Sequence, residues 1–211
     1  MDQAKKIKIC DAVNGTTTEF DQELRFMHGG CEGFGGSWSP DSRWFTYSRD
    51  LENYHNAVFI YDTDNKKTTQ VTDGFYSGSG PVFDTEGKYL MFTTNQSYSP
   101  YYSDIDNSFI YANSTQIAVI SLKKSTPSIL FPKNDTVAIK TGDVKADEKK
   151  ETQKKDTTLK TPRANAVDID LDGIQSRMVI LPMPAGNYGN LSSAKGKIIY
   201  QKFPATGSSP D

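Results

Sequence analysis

Three aspartates at alternate positions, Asp168, Asp170 and Asp172, followed by Gly173, have the spacing that opens a calcium-binding loop. Such a loop supplies carboxylates from its first, third and fifth residues, turns on a glycine, and closes with a bidentate glutamate at the twelfth. Counting from Asp168, the twelfth residue is Val179, whose side chain cannot ligate. The residues between the carboxylates, Val167, Ile169 and Leu171, alternate with them at the period of a half-buried strand. The aspartates are therefore expected on the wet face of a strand ending at Gly173, with no metal. The other reactive side chains are sparse. Two histidines, His28 and His55, have no serine partner in the local sequence. GGSWS at 35–39 and SGSGP at 77–81 miss the G-x-S-x-G pattern of a strand-to-helix nucleophile elbow. Cys10 and Cys31 lack C-x-x-C spacing, so they read as unrelated residues, with a disulfide as the alternative. No catalytic residue, metal site or cofactor is expected.

The elements that would position these groups show in a repeat. WSPDSRWFTYSR (38–49) and FDTEGKYLMFTT (83–94) align at a constant offset of 45 residues: Trp38 with Phe83, Asp41 with Glu86, Arg43 with Lys88, Trp44 with Tyr89 and Tyr47 with Phe92. Each copy is an aromatic closing a short strand, an acidic turn, a base and an apolar strand. A second element recurs in IKICDAVNGTTTEF (7–20), VFIYDTDNKKTTQV (58–71) and, more loosely, IAVISLKKSTPSIL (117–130). Here a β-branched and aromatic run meets a polar turn and a shorter strand follows. Turns on Asn14-Gly15 and Asn65-Lys66 suit the positive φ of tight hairpins. Alternating the two elements produces four short strands in about 45 residues, the length of a propeller blade. No window carries a sustained helical stripe.

The fold class is thus all-β: antiparallel four-stranded blades of a partial β-propeller of about three blades. Residues 1–139 hold blades, a partial one at 1–22 and full ones at about 30–74 and 78–132. Residues 140–166, rich in Lys, Glu, Asp and Thr without aromatics, are a charged flexible insertion, because such a segment cannot bury enough apolar surface to offset its ordering entropy. Residues 167–211 start a further blade. The count falls short of a closed ring of roughly 4–8 blades, so the chain reads as a piece of a larger propeller protein.

Composition narrows the partners. With 24 Lys+Arg against 26 Asp+Glu there is no electrostatic case for nucleic acid or an anionic membrane surface. No apolar run approaches the roughly 20 residues of a membrane-spanning helix, and MDQAKKIKICDAV has no signal-peptide core. The Asn-x-Ser/Thr sequons at Asn14, Asn95, Asn113, Asn134 and Asn190 are accordingly read as chance.

SWSPDSRWFTYSRD resembles the blade repeat of TolB-like, prolyl-oligopeptidase-like and tricorn-type proteins. DIDLDGIQSRMVILPMPAGNYGNLSSAKGKIIYQ is similar to the second propeller of tricorn-type serine peptidases, in which an acidic strand, a Gly and an Arg lead to L-P-x-P-x-G-x-Y and then to a Gly-Lys-apolar strand. The matching residues are Asp170, Gly173, Arg177, Leu181, Pro182, Pro184, Gly186, Tyr188, Leu191, Gly196, Lys197 and Tyr200. The resemblance implies a non-catalytic segment that channels peptides to a serine-peptidase site in domains not contained in this chain. It also implies a cytoplasmic parent, with the periplasm as the alternative, that forms homo-oligomers and packs its other blades and catalytic domains around this segment. The alternatives are a TolB-like protein-binding scaffold or the propeller of a prolyl-oligopeptidase-like enzyme.

Peptide-binding residues are expected in the loops joining the second and third strands of each blade, RDLENYHN (49–56) and NQSYSPYYSDIDNSFIYANS (95–114). These contribute Tyr54 and His55, and Tyr98, Tyr101 and Tyr102. Tyrosine combines flat apolar area with a hydroxyl at modest entropic cost. Packing of these rings onto their own propeller or a neighbouring domain is the competing expectation, and the favoured one.

Overall fold

A computed structural model describes residues 1, 4–24, 34–97, 99–132 and 166–208. The strands run β1 (Lys6–Cys10), β2 (Thr17–Gln22), β3 (Gly36–Trp38), β4 (Trp44–Asp50), β5 (Asn56–Asp62), β6 (Lys67–Gln70), β7 (Gly78–Phe83), β8 (Tyr89–Thr94), β9 (Tyr101–Ser103), β10 (Ser108–Ile110), β11 (Gln116–Ser121), β12 (Met178–Ile180), β13 (Asn187–Ala194) and β14 (Lys197–Phe203). The helical element among the described residues is one 3-10 turn, Ile174–Arg177. No helix there is long and apolar enough to cross a membrane.

Two four-stranded antiparallel sheets, β3-β4-β5-β6 and β7-β8-β11-β12, form the centre, flanked by the hairpins β1-β2 and β13-β14. Strand β5 is buried on both faces, which explains the unbroken apolar run AVFIY at its centre. Its Val58 and Ile60 face the second sheet in a core with Trp44, Phe83, Leu90, Phe92, Ala118 and Ile120. Its Ala57, Phe59 and Tyr61 face β1-β2, together with Ile7 and Tyr47. Phe20 of β2 stacks on Tyr61 at 4.5 Å. The phenol of Tyr47 donates to Asp21, which also accepts from Arg49 Nε at 2.7 Å. Burial first, and then the Asp21 carboxylate, keep that phenol protonated well above the ordinary range. Sheets stacked face to face in chain order, each starting on an inner strand, are propeller blades.

The repeat has a physical basis in its turns. Ser39 Oγ accepts the Trp44 amide at 2.9 Å, and 45 residues on Asp84 Oδ1 accepts the Tyr89 amide at 2.7 Å. Ser42 and Gly87 occupy the left-handed position of the same turns, φ 58° and 67°. The side chains closing the turn are therefore Ser39 and Asp84, whereas the pairing of Asp41 with Glu86 expected from sequence has no common role. Asp41 Oδ1 accepts the Ser39 hydroxyl and the Arg43 amide within the turn, and its Oδ2 accepts the distant Val167 amide at 2.9 Å. The second repeat element closes with an aspartate: Asp11 binds the amide of Val13 and the side chain of Asn14, and Asp62 does the same with Asp64 and Asn65.

The third copy of that element differs from expectation. Ser121 stands where Asp11 and Asp62 stand in the other two, and residues 122–130 form no strand. Without a carboxylate to gather the turn amides, the chain does not fold back beside β11. The outer strand of the second sheet is β12, which arrives from beyond the expected insertion and pairs Val179 with Val119. Residues 167–180 thus complete the second sheet, and the following hairpin, β13-β14, covers its other face. The insertion expected at 140–166 lies outside the described residues except for Ala166.

Residues 167–171 are also not the expected strand, although the alternation survives. Val167 is buried, and Ile169 and Leu171 pack on the core, while the aspartates face outward. The segment is a strap with no neighbouring strand on which to build a ladder. Trp44 Nε1 donates to Val167 O at 2.8 Å, and Asp170 N to Leu122 O at 2.9 Å. The carboxylates meet a lysine pair: Lys123 Nζ reaches Asp168 at 2.8 Å, and Lys124 reaches Asp170 through its amide at 2.7 Å and Asp172 through Nζ at 3.2 Å. Arg177 spreads its guanidinium over the carbonyls of Ser121, Leu122 and Asp170.

Candidate functional site

Antiparallel order places loops 51–55, 95–115 and 181–186 and the connection 71–77 at one end of the stacked sheets. Loop 51–55 turns with Tyr54 in the left-handed region, φ 68°, and its amide on Leu51 O at 3.1 Å. The Tyr54 ring is 79% exposed. His55 is half-buried, and its Nδ1 lies 3.0 Å from Gly74 O, a carbonyl that also accepts from Asn53 Nδ2 at 2.9 Å. A carbonyl can only accept, so Nδ1 carries the proton in this contact. His55 thus ties the loop to the connection between sheets. Gly74 has φ 75°, and a side chain there would meet Leu51 Cδ1 at 2.1 Å.

The long loop folds into a hairpin of its own, β9-β10, with Tyr102 opposite Phe109 and Tyr101 opposite Ile110. Tyr102 and Phe109 meet edge to face at 5.8 Å, and the Tyr102 hydroxyl donates to Asn107 at 2.6 Å. Because pairs alternate across a hairpin, Tyr101 and Tyr102 point to opposite faces. Both remain largely exposed, at 63% and 57%. Neither ring is covered by the described sheets of this chain; the favoured expectation also included other blades and a neighbouring domain, which this chain does not contain. Ser77 N donates to Asn95 Oδ1 at 2.9 Å and so joins this loop to the same connection that holds His55. Tyr98, His28 and Cys31 lie outside the described residues. Cys10 is an exposed free thiol.

Sequence reasoning missed Phe75 and Tyr76. They sit on the connection between sheets, edge to face at 5.0 Å and open to solvent. The signal was the DGFYSG stretch, where the Asp73 carboxylate accepts the Phe75 amide at 2.9 Å and presents two successive aromatics on a tight turn. The central serines of the two glycine-rich stretches, Ser37 and Ser79, lie in β3 and β7 rather than on an elbow.

Charge separates the two ends. Loops 51–55, 71–77, 95–115, 181–186 and 204–208 contain Glu52, Asp73, Asp104 and Asp106 but no lysine or arginine. Hydrogen bonds from Ser103 and Ser108 hold the Asp106 carboxyl below the usual carboxylate range. The opposite end carries Arg43, Lys66, Lys88, Lys123, Lys124 and Lys195 among its own carboxylates. A cavity of about 380 Å³ there is lined by Arg43, Trp44, Asp62, Lys67, Asp168 and Leu171. Within it Arg43 grips Asp62 with two nitrogens, at 3.1 and 2.7 Å.

Blade stacking of this kind, with aromatic loops at one end, defines a stretch of β-propeller. The chain belongs to the family described as the tricorn protease second beta propeller domain, whose sequence model matches residues 1–211. It is 25% identical over 170 residues to tricorn protease homolog 1 of Streptomyces coelicolor, covering 81% of this chain and 15% of that protein. A second homolog from the same organism is 26% identical over 179 residues, covering 81% of this chain and 14% of its own length. The chain thus spans about one seventh of these relatives. The crystal structure of the tricorn protease superposes on 90% of this chain and 16% of its own, with TM-score 0.63 at 18% identity, a likeness of fold.

Proposed function

We propose that this chain is a non-catalytic propeller segment of a longer tricorn-type peptidase, and that its aromatic loop end receives peptides on their way to a serine-peptidase site elsewhere in that protein. The observation that carries this reading is the set of exposed rings, Tyr54, Phe75, Tyr76, Tyr101 and Tyr102, on loops at one end of the blades. Large aromatics left in water are costly to display and are typical of binding surfaces. Family membership supports the peptidase context. His55 acts here as a positioning residue, holding the Tyr54 loop through Gly74. The parent acts in the cytoplasm, or in the periplasm if exported, and forms a homo-oligomer.

The test is Tyr101→Ala with Tyr102→Ala in the full-length protein. Turnover of peptides longer than about ten residues is expected to fall several-fold through a higher KM, while short chromogenic substrates are cleaved at an unchanged rate. The size corresponds to a combined loss of about 1 kcal/mol, the low end for ring contacts that stay partly in water. Unchanged long-peptide turnover would overturn the reading.

A further inference from the structure

We infer that the aromatic end docks cationic peptides: extended segments bearing Lys or Arg are the partner that the exposed β9-β10 face fits. This rests on the peptide-docking reading above and adds the charge class of the peptide.

The argument begins with composition by position. Lysine and arginine number 24 in the chain, yet none occurs in five loop segments at this end, which hold Glu52, Asp73, Asp104 and Asp106; the β2–β3 connection, with Glu23, Arg25 and Glu32, lies mostly outside the described residues. Arg49, next to the last residue of β4 below these loops, is engaged by Asp21 at 2.7 Å. Lys5 and Lys6, where β1 begins at the same end, are engaged by Leu24 O at 3.0 Å and by Glu19 at 2.9 Å. A cationic peptide therefore meets no like charge on these five segments, whereas the opposite end interleaves its lysines with Asp41, Asp62, Asp64, Asp84, Glu86, Asp168, Asp170 and Asp172 and has no net sign to offer it. Field asymmetry of this kind steers encounter and rejects the wrong sign.

The hairpin supplies the second element of recognition. Asp104 and Asp106 sit in the turn between β9 and β10, next to Tyr101, Tyr102 and Phe109. Asp106 uses its Oδ1 on the Ser108 amide and hydroxyl, at 3.3 and 2.8 Å, neutral donors that leave its charge intact. A carboxylate beside an exposed ring face suits a guanidinium or ammonium group, which gains ion pairing and a cation–π contact together. The alkyl stem of the same side chain lies on the ring. An acidic peptide would bring its carboxylates against four like charges and the electron-rich faces of the rings.

The experiment measures binding of this chain to three labelled decapeptides of matched length and aromatic content by fluorescence anisotropy. One carries four lysines, one four glutamates and one four serines. The lysine peptide is expected to bind at least about tenfold tighter than the glutamate peptide at ~50 mM salt, with the ratio shrinking at ~0.5 M as screening shortens to a few ångströms. Asp104→Asn with Glu52→Gln is expected to cut the ratio to about threefold or less while leaving the serine peptide's affinity unchanged. Three results would overturn the proposal. Equal affinity for all three peptides removes the charge class but leaves peptide docking standing. A preference that survives the double variant places the selection elsewhere on the chain. No binding of any peptide removes docking itself, and with it the reading on which this inference rests.

Discussion

Asp62 shows how much one side chain can organise. It is 4% exposed, accepts two bonds from Arg43, and gathers the Asp64 and Asn65 amides that turn β5 into β6. Burial alone would raise its pKa, but the hydrogen bonds from Arg43 and Asn65 and those turn amides outweigh burial and hold it below the ordinary value. A carboxyl whose pKa is depressed by folding stabilises the protein at every pH above its unfolded value, roughly 4, and loses that contribution as the pH falls through the folded value. Asp62→Asn is therefore expected to cost about 2–4 kcal/mol at pH 7, because it removes the two-point partner of a half-buried guanidinium and leaves it the longer contact to Asp64, at 3.6 Å. The gap to the unsubstituted chain should narrow as the pH drops below about 4. Urea unfolding at pH 7, 5 and 3 checks both the size and the sign, and a gap that widens in acid would contradict the assignment.

At the scale of elements, the strap at 167–171 bolts one blade to the next. Val167 bonds to Asp41 and Trp44 of the first sheet while its side chain lies against Gly87 in the turn of the second. Gly87 and Gly196 share the same φ of 67°, yet a side chain at Gly87 would meet Val167 Cγ2 at 2.4 Å, whereas one at Gly196 would meet nothing within 4 Å. Both substitutions to alanine carry the left-handed backbone cost of about 1 kcal/mol. Gly87→Ala should cost at least about 1–2 kcal/mol more, because the strap must shift. Denaturant midpoints of the two variants isolate that difference, and equal midpoints would show that the strap gives way freely.

At the scale of the whole chain, the last described hairpin leaves part of β14 uncovered. Hairpin β13-β14 covers the second sheet with one side, while Ile199, Tyr200 and Phe203 of β14 remain exposed on a strand with seven residues. An uncovered apolar strand is a template for association. The chain is expected to self-associate in a concentration-dependent way, and Ile199→Lys should weaken that association by about tenfold or more, as read by sedimentation velocity. The same variant should leave thermal stability within about 0.5 kcal/mol, because the side chain is at the surface.

Much of the architecture is legible in the residues. The aromatic and β-branched runs, the Asp–Asn turns and the offset of 45 residues follow from local rules, so the four-stranded sheets could be expected from pattern alone. The aspartates of VDIDLDGIQSR alternate with buried residues, and that alternation persists although no strand forms. What escaped sequence reasoning was decided by contacts distant along the chain. The second sheet takes its outer strand from residues 178–180, past a segment of more than 50 residues, because Ser121 provides no carboxylate to reverse the chain locally. Tyr101 and Tyr102 are adjacent in sequence, and only the hairpin register turns them to opposite faces. Phe75 and Tyr76 become part of the same end because the connection between sheets folds beside the Tyr54 loop, where His55 and Asn53 hold Gly74. Strand periodicity and turn chemistry are short-range and can be read in order. Which strand closes a sheet, and which loops share an end, depends on long-range packing that no local pattern encodes.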